Sequence, residues 1–205
     1  MLFTKVALAA FSMGSALAAP ATHQPQARAL EVLSTATTTV TTVQKTVQGE
    51  LANLEKLAVT VNLNTTALVP QLEQSLLSIV GEVTKIVGSV TPLVTEAVPQ
   101  LVGDELQNVP TLLNGVLSIA SGVQSTVQKV VDNVGEDALQ AIKPELQLVL
   151  HTVEPIAKPI ISFALSAVGQ TVGPVVDEVH SLVGDLQNVL SGLLAPVTGL
   201  LSKIL

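Results

Sequence analysis

The stretch LNGVLSIASGVQSTVQKVVDNV, residues 113–134, decides the fold class. Its apolar residues Leu113, Val116, Ala120, Val123, Val127, Val130 and Val134 alternate in steps of three and four. That spacing puts every one of them on a single stripe of an α-helix, whereas a strand would require steps of two. The same alternation recurs on both sides. It runs through Leu72, Leu76, Ile79, Val83, Ile86 and Val90, and again through Leu139, Ile142, Leu146, Val149, Val153, Ile156, Ile160 and Phe163. The last run is Val176, Val179, Val183, Leu186, Leu190, Leu193, Val197, Leu200 and Ile204. Near the amino terminus, Leu33, Val40, Val47, Leu54 and Val61 lie seven apart, with Ala36, Val43 and Leu57 in the neighbouring row.

Abundant valine and threonine pull toward strand, because β-branched side chains lose rotamer freedom in a helix. Periodicity outranks this preference, since packing overrides propensity. Helix breaks are expected at Asn62–Asn64 ahead of Thr66, at Thr91 before Pro92, at Pro99, at Asn108 before Pro110, and at Gly135, Gly169 and Gly173-Pro174. Pro144, Pro155, Pro159 and Pro196 fall inside continuous stripes, where kinks or restarts are expected. Because no amphipathic helix can hide its stripe alone, the expected fold is all-α. It is an antiparallel bundle of five or six amphipathic helices, several kinked at Pro or Gly. An echo between VGDELQNV at 102–109 and VGDLQNV at 183–189 suggests a repeated hairpin.

The first residues have the form of a secretory signal peptide: Lys5, an apolar run from Val6 to Phe11, and Ala16-Leu17-Ala18 as a cleavage motif. Cleavage is expected after Ala18, leaving a flexible arm at 19–29 and a single helical-bundle domain at 30–205. The apolar run is too short to span a bilayer, so no transmembrane segment is expected in the mature chain. Cleavage would leave Phe163 as the one aromatic residue and take the formal charge from −7 to −8 through loss of Lys5. The chain has no cysteine, which excludes a disulfide framework, thiolate nucleophiles and cysteine metal ligands. Charged residues are 12% of the sequence and the mean hydropathy is +0.58, too apolar for disorder. The acidic balance argues against nucleic acid as a partner.

Chemistry-bearing motifs are sparse. The sequence has no Gly-x-Ser-x-Gly elbow, phosphate loop, His-Glu-x-x-His pair or calcium loop, and no catalytic, metal or cofactor residue is assigned. His23 lies in the arm, while His151 and His180 have Glu154 and Asp177 at helical spacing, which reads as solvated charge pairing. The acidic pairs Asp104-Glu105, Glu136-Asp137 and Asp177-Glu178 sit where helices begin, where the helix dipole favours them. Asn64 heads the one N-glycosylation sequon. The threonine run from Thr35 to Thr46 is read as the polar face of a helix, against an O-glycosylated stalk. A glycolipid-anchor signal at the carboxyl end is disfavoured by Lys203 and by the unbroken heptad.

A signal peptide, no cysteine, a Thr-rich first helix and Val/Leu heptads to about residue 160 resemble the small secreted fungal hydrophobic-surface-binding and cell-wall mannoprotein families. The Pro- and Gly-interrupted carboxyl-terminal part lies outside that resemblance. What the resemblance implies is a secreted helical bundle that adsorbs to hydrophobic surfaces or holds fatty acids between helices, without enzymatic activity. A structural glycoprotein contacting cell-wall polysaccharide or protein is the alternative. Residues 172–205 carry more apolar area than one seam needs. The second row Val175, Leu182 and Val189 lies beside the main stripe, and Leu186 to Ser202 holds no charge. Val189, Leu193, Leu194, Val197, Leu200 and Leu201 are therefore the candidate lipid- or surface-binding residues.

With so few charges, solubility should fall as the pH is lowered toward the sequence pI near 4.8. Light scattering between pH 8 and pH 4.5 checks this; a flat profile would assign solubility to glycans.

Overall fold

The computed structural model describes residues 24–60, 65–95, 106–169 and 173–193, and these are helical apart from short turns. In chain order the helices are α1 (Gln24–Val59), α2 (Thr65–Thr95), α3 (Asn108–Asn133), α4 (Glu136–Val168) and α5 (Pro174–Gly192). The expected signal peptide, Asn64, and the breaks expected at Asn62–Asn64 and Pro99 lie outside the described residues.

Within α1 the threonine run is helical. Thr37, Thr39, Thr41, Thr42 and Thr46 each donate the side-chain hydroxyl to the carbonyl four residues back. This back-bonding satisfies a hydroxyl that would otherwise compete with the helix. The valines between them, Val40, Val43 and Val47, are buried. Helix α1 begins at Gln24, inside the segment expected as a loose arm. Ala27, Arg28, Ala29 and Leu30 are strong helix formers, and Pro25 stands in the first turn, where its missing N–H costs nothing.

The break expected at Thr91-Pro92 does not occur: α2 continues through Pro92 to Thr95. Helix α4 likewise runs unbroken through Pro144, Pro155 and Pro159. Each proline removes one N–H, and the carbonyl so freed lies four residues earlier, at Gly88, Gln140, His151 and Pro155 respectively. All four are exposed residues, so water can take the place of the missing donor. Breaks do occur at Gly135 and at Gly169 to Gly173-Pro174. Gly173 has φ +147°, a conformation that a side chain would strain, and Pro174 follows at the first helical position. Glu136 and Asp137 open α4 and Asp177 opens α5, matching the dipole.

Cross-helix pairs fix the arrangement. Ser78 Oγ donates to Glu50 Oε1 at 3.2 Å, setting α2 antiparallel to α1 across their short connection. Gln44 Nε2 donates to Ser118 Oγ at 3.0 Å and Lys129 Nζ to Glu55 Oε1 at 2.8 Å, so residue numbers rise together on α1 and α3. Helix α2 thus runs opposite to both, while the spatial neighbours α1 and α3 are parallel. Helices α1, α2, α4 and α3 close a ring in that order, and α5 lies outside it on α3 and α4.

This geometry explains the width of each stripe. Helices α1 and α2 bury essentially one stripe, whereas α3 and α4, each with three extensively packed neighbours, bury two. The additional buried positions are Leu112 and Ile119 on one side of the α3 stripe and Val131 on the other, and the row Leu150, Ala157, Ile161 and Val168 on α4. Thr66–Leu93 and Glu136–Val168 are long and apolar enough to cross a membrane by length and composition; 33% and 44% of the respective windows are buried within the bundle.

The seam between α1 and α3 is close. A Cβ built at Gly115 would stand 2.5 Å from Val40 Cγ1, and one at Gly122 would stand 2.9 Å from Leu51 Cδ1. A valine methyl has little freedom to move aside, so Gly115→Ala should be less stable than Gly88→Ala, whose site is open, by about 1–3 kcal/mol. Urea unfolding of the two variants measures the difference, and both carry the same gain in helix propensity.

Candidate functional site

The interior offers aliphatic surface and little else. Leu33, Leu54, Leu72, Leu76, Ile79, Ile86, Leu112, Leu113, Ile142, Leu146, Ile160 and Leu186 are its largest fully buried side chains. Phe163 is the one aromatic residue among the buried positions. Every position of the predicted stripes on α2, α3 and α4 is buried.

Polar side chains fasten this interior from its edges. Thr126, fully buried, donates its hydroxyl to Glu55 Oε1 at 3.2 Å, and Lys129 Nζ binds the same oxygen. The hydrogen bond from Lys129 is the main reason the Glu55 carboxyl is held below its ordinary value; the Thr126 hydroxyl and the Lys129 charge act in the same direction, and slight burial opposes them. These groups lock the register of α1 on α3.

The histidines do not assemble into a site. His151 and His180 are exposed, and the carboxylate of Glu154 is held down first by its hydrogen bond to Lys158, with His151 a minor cause. Among the described residues no three His, Asp or Glu side chains gather as a metal site would require.

Of the carboxyl-terminal candidates, Val189 is half-buried against the core and Leu193 is buried at the end of α5. Leu194, Val197, Leu200 and Leu201 lie outside the described residues. The row Val175, Leu182, Val189 is half-buried along α5. A Cβ at Gly192 would stand 2.6 Å from Gln124 Nε2, so the end of α5 rests directly on α3. Large apolar side chains exposed elsewhere are Val59, Leu77, Leu148 and Leu165, with Leu77 on α2 half exposed at 50%.

One concavity has no counterpart in the sequence reading. Asn53, Lys56 and Leu57 on α1 and Gln71, Gln74 and Ser75 on α2 line a recess of about 330 Å³. Each residue is an ordinary surface position in the sequence, and only the antiparallel register of α1 and α2 brings them together.

No family model and no curated protein matches this sequence. In fold, the chain is similar to AFMP4P, whose crystal structure was solved in complex with palmitic acid. The likeness has a TM-score of 0.53 and 8% sequence identity, covering 78% of this chain and 98% of the other. At that identity the likeness is one of fold.

The lowered Glu55 carboxyl gives a pH prediction. Its folded value lies below the unfolded one, so its stabilisation is present above about pH 4.5 and is lost as pH falls through the folded value. The gap in urea midpoint between the natural protein and Glu55→Gln should therefore be widest near neutrality and close on acidification.

Proposed function

We propose that this is a secreted, non-enzymatic protein that binds lipid or an apolar surface through its aliphatic helices. The observation that carries the reading is the fold shared with AFMP4P, a helical protein solved with palmitic acid. The composition agrees with it. Among the described residues the interior is almost wholly aliphatic, and charges are few in the sequence. An acyl chain asks for such a lining, since its transfer from water contributes about 0.8 kcal/mol per buried CH₂ group.

Helix α5 is the element best placed to move. It lies outside the ring of four, buries few residues of its own, and packs on α3 and α4, whose apolar surface a ligand or surface could take over. The sequence that follows it, including Leu194 and Leu201, is apolar and without charge as far as Ser202.

Organic extracts of the protein from its native source should contain a stoichiometric lipid by mass spectrometry. Replacing Leu194 and Leu201 with Asp should weaken adsorption to liposomes by several kcal/mol, at about 1.5–3 kcal/mol per buried leucine, with helicity retained. Lipid-free protein, together with a folded double variant that adsorbs normally, would overturn the reading.

A further inference from the structure

We propose that the recess between α1 and α2 seats the anionic head group of a single-chain lipid, a carboxylate, whose tail continues along the adjoining rows of α1 and α2. This rests on the lipid-binding reading above and adds to it where the head group sits.

The lining has the chemistry of an anion seat. Asn53, Gln71 and Gln74 contribute amides, Ser75 a hydroxyl and Lys56 an ammonium group, and no carboxylate lines the space. Amide and hydroxyl groups reorient to donate, so they can converge on a carboxylate. Gln71 spends one amide hydrogen on Ala67 O at 3.0 Å and has a second to offer.

Lys56 sets the sign. Lys85, Lys129 and Lys158 are each engaged in an ion pair, with Glu82, Glu55 and Glu154, whereas Lys56, like Lys45 and Lys143, has no such partner among the described residues; of these three only Lys56 lines the recess. In a chain of formal charge −7, an unpaired ammonium beside a recess free of acids makes a local positive potential. Helix ends do not erase it. The carboxyl end of α1 and the amino end of α2 lie at the same end of the bundle with opposite partial charges, so their fields oppose.

Size decides how much of a lipid fits. About 330 Å³ is near the lower end of small-molecule pockets, roughly 300–1,000 Å³, which suits a head group and its first carbons. The tail must leave the recess, and Leu57 shows the way out. It lines the recess and is at the same time half-buried and packed against the apolar core.

The test uses the full mature protein with three probes: laurate, its neutral counterpart dodecanol, and inorganic phosphate. Calorimetry gives affinities, and the NMR signals of the Asn53, Gln71 and Gln74 side-chain amides report on the recess. Laurate should bind about tenfold more tightly than dodecanol, the effect of one charge-assisted hydrogen bond at a wet site, and should shift those amides. Lys56→Gln should abolish the preference without weakening dodecanol binding, and Lys56→Arg should keep it. Because Lys56 is exposed, circular dichroism should be unchanged in both variants. Equal binding of laurate and dodecanol, or a preference that survives Lys56→Gln, would overturn the head-group seat and leave lipid binding standing. Failure of both lipids to bind would overturn the head-group seat and, of the proposed function, the binding of single lipids, leaving adsorption to an apolar surface to be judged by the liposome assay. Phosphate shifting the amides while laurate does not would replace the lipid with a free anion.

Discussion

The interior of this protein is built from Val, Leu, Ile and Ala, with Phe163 as its single large aromatic piece. Short, stiff, β-branched side chains fill little depth, so helices must come close for the core to reach the density of a protein interior. The contact of Val40 with Gly115 shows where that demand becomes strict, because even one added carbon there meets a methyl group. The neighbours each helix has then dictate its apolar width. That is why α3 and α4 are broad, α1 is narrow, and a fifth helix is needed to cover what the ring of four leaves open.

Helix type and core-facing residues were legible because step-three-and-four spacing is a local property. The stripe of α4 could be written down from Leu139 to Phe163 without knowing what it touched. The second rows, such as Leu150 and Ile161, carried no label saying which neighbour they served, because that depends on how distant segments meet. Proline was over-read at Pro92. Proline ends a helix only where the carbonyl it frees has no substitute partner, and the sequence does not say which carbonyls face water. The recess between α1 and α2 was illegible for the same reason: Lys56 and Gln74 are unremarkable until the register of two helices sets them side by side. The first copy of the internal echo lies partly outside the described residues. Its described end leads into α3, whereas the second copy sits in the middle of α5.

Polar groups here act as fasteners around an apolar interior. Ser118 receives Gln44 and Gln48, Glu50 receives Ser78, and Glu55 gathers Thr126 and Lys129. These contacts have direction and length, so they choose one register among several that a seam of valines would accept equally well. Apolar packing supplies cohesion without much selectivity. Discrimination among apolar partners must then come from the rim, where the polar groups are.

The parallel alignment of α1 with α3 bears on how the chain reaches its fold. Helical bundles as a class fold rapidly because most of their contacts are local. Here the clamp at Glu55 joins residues 74 positions apart, and the most extensive packing, α2 against α4, also joins helices that are not consecutive. Loop closure over such spans must precede the contacts that reward it. Folding should therefore resemble that of a mixed α/β domain in rate. The α1–α2 hairpin, lacking both partners, has no reason to be stable before the second half of the chain arrives.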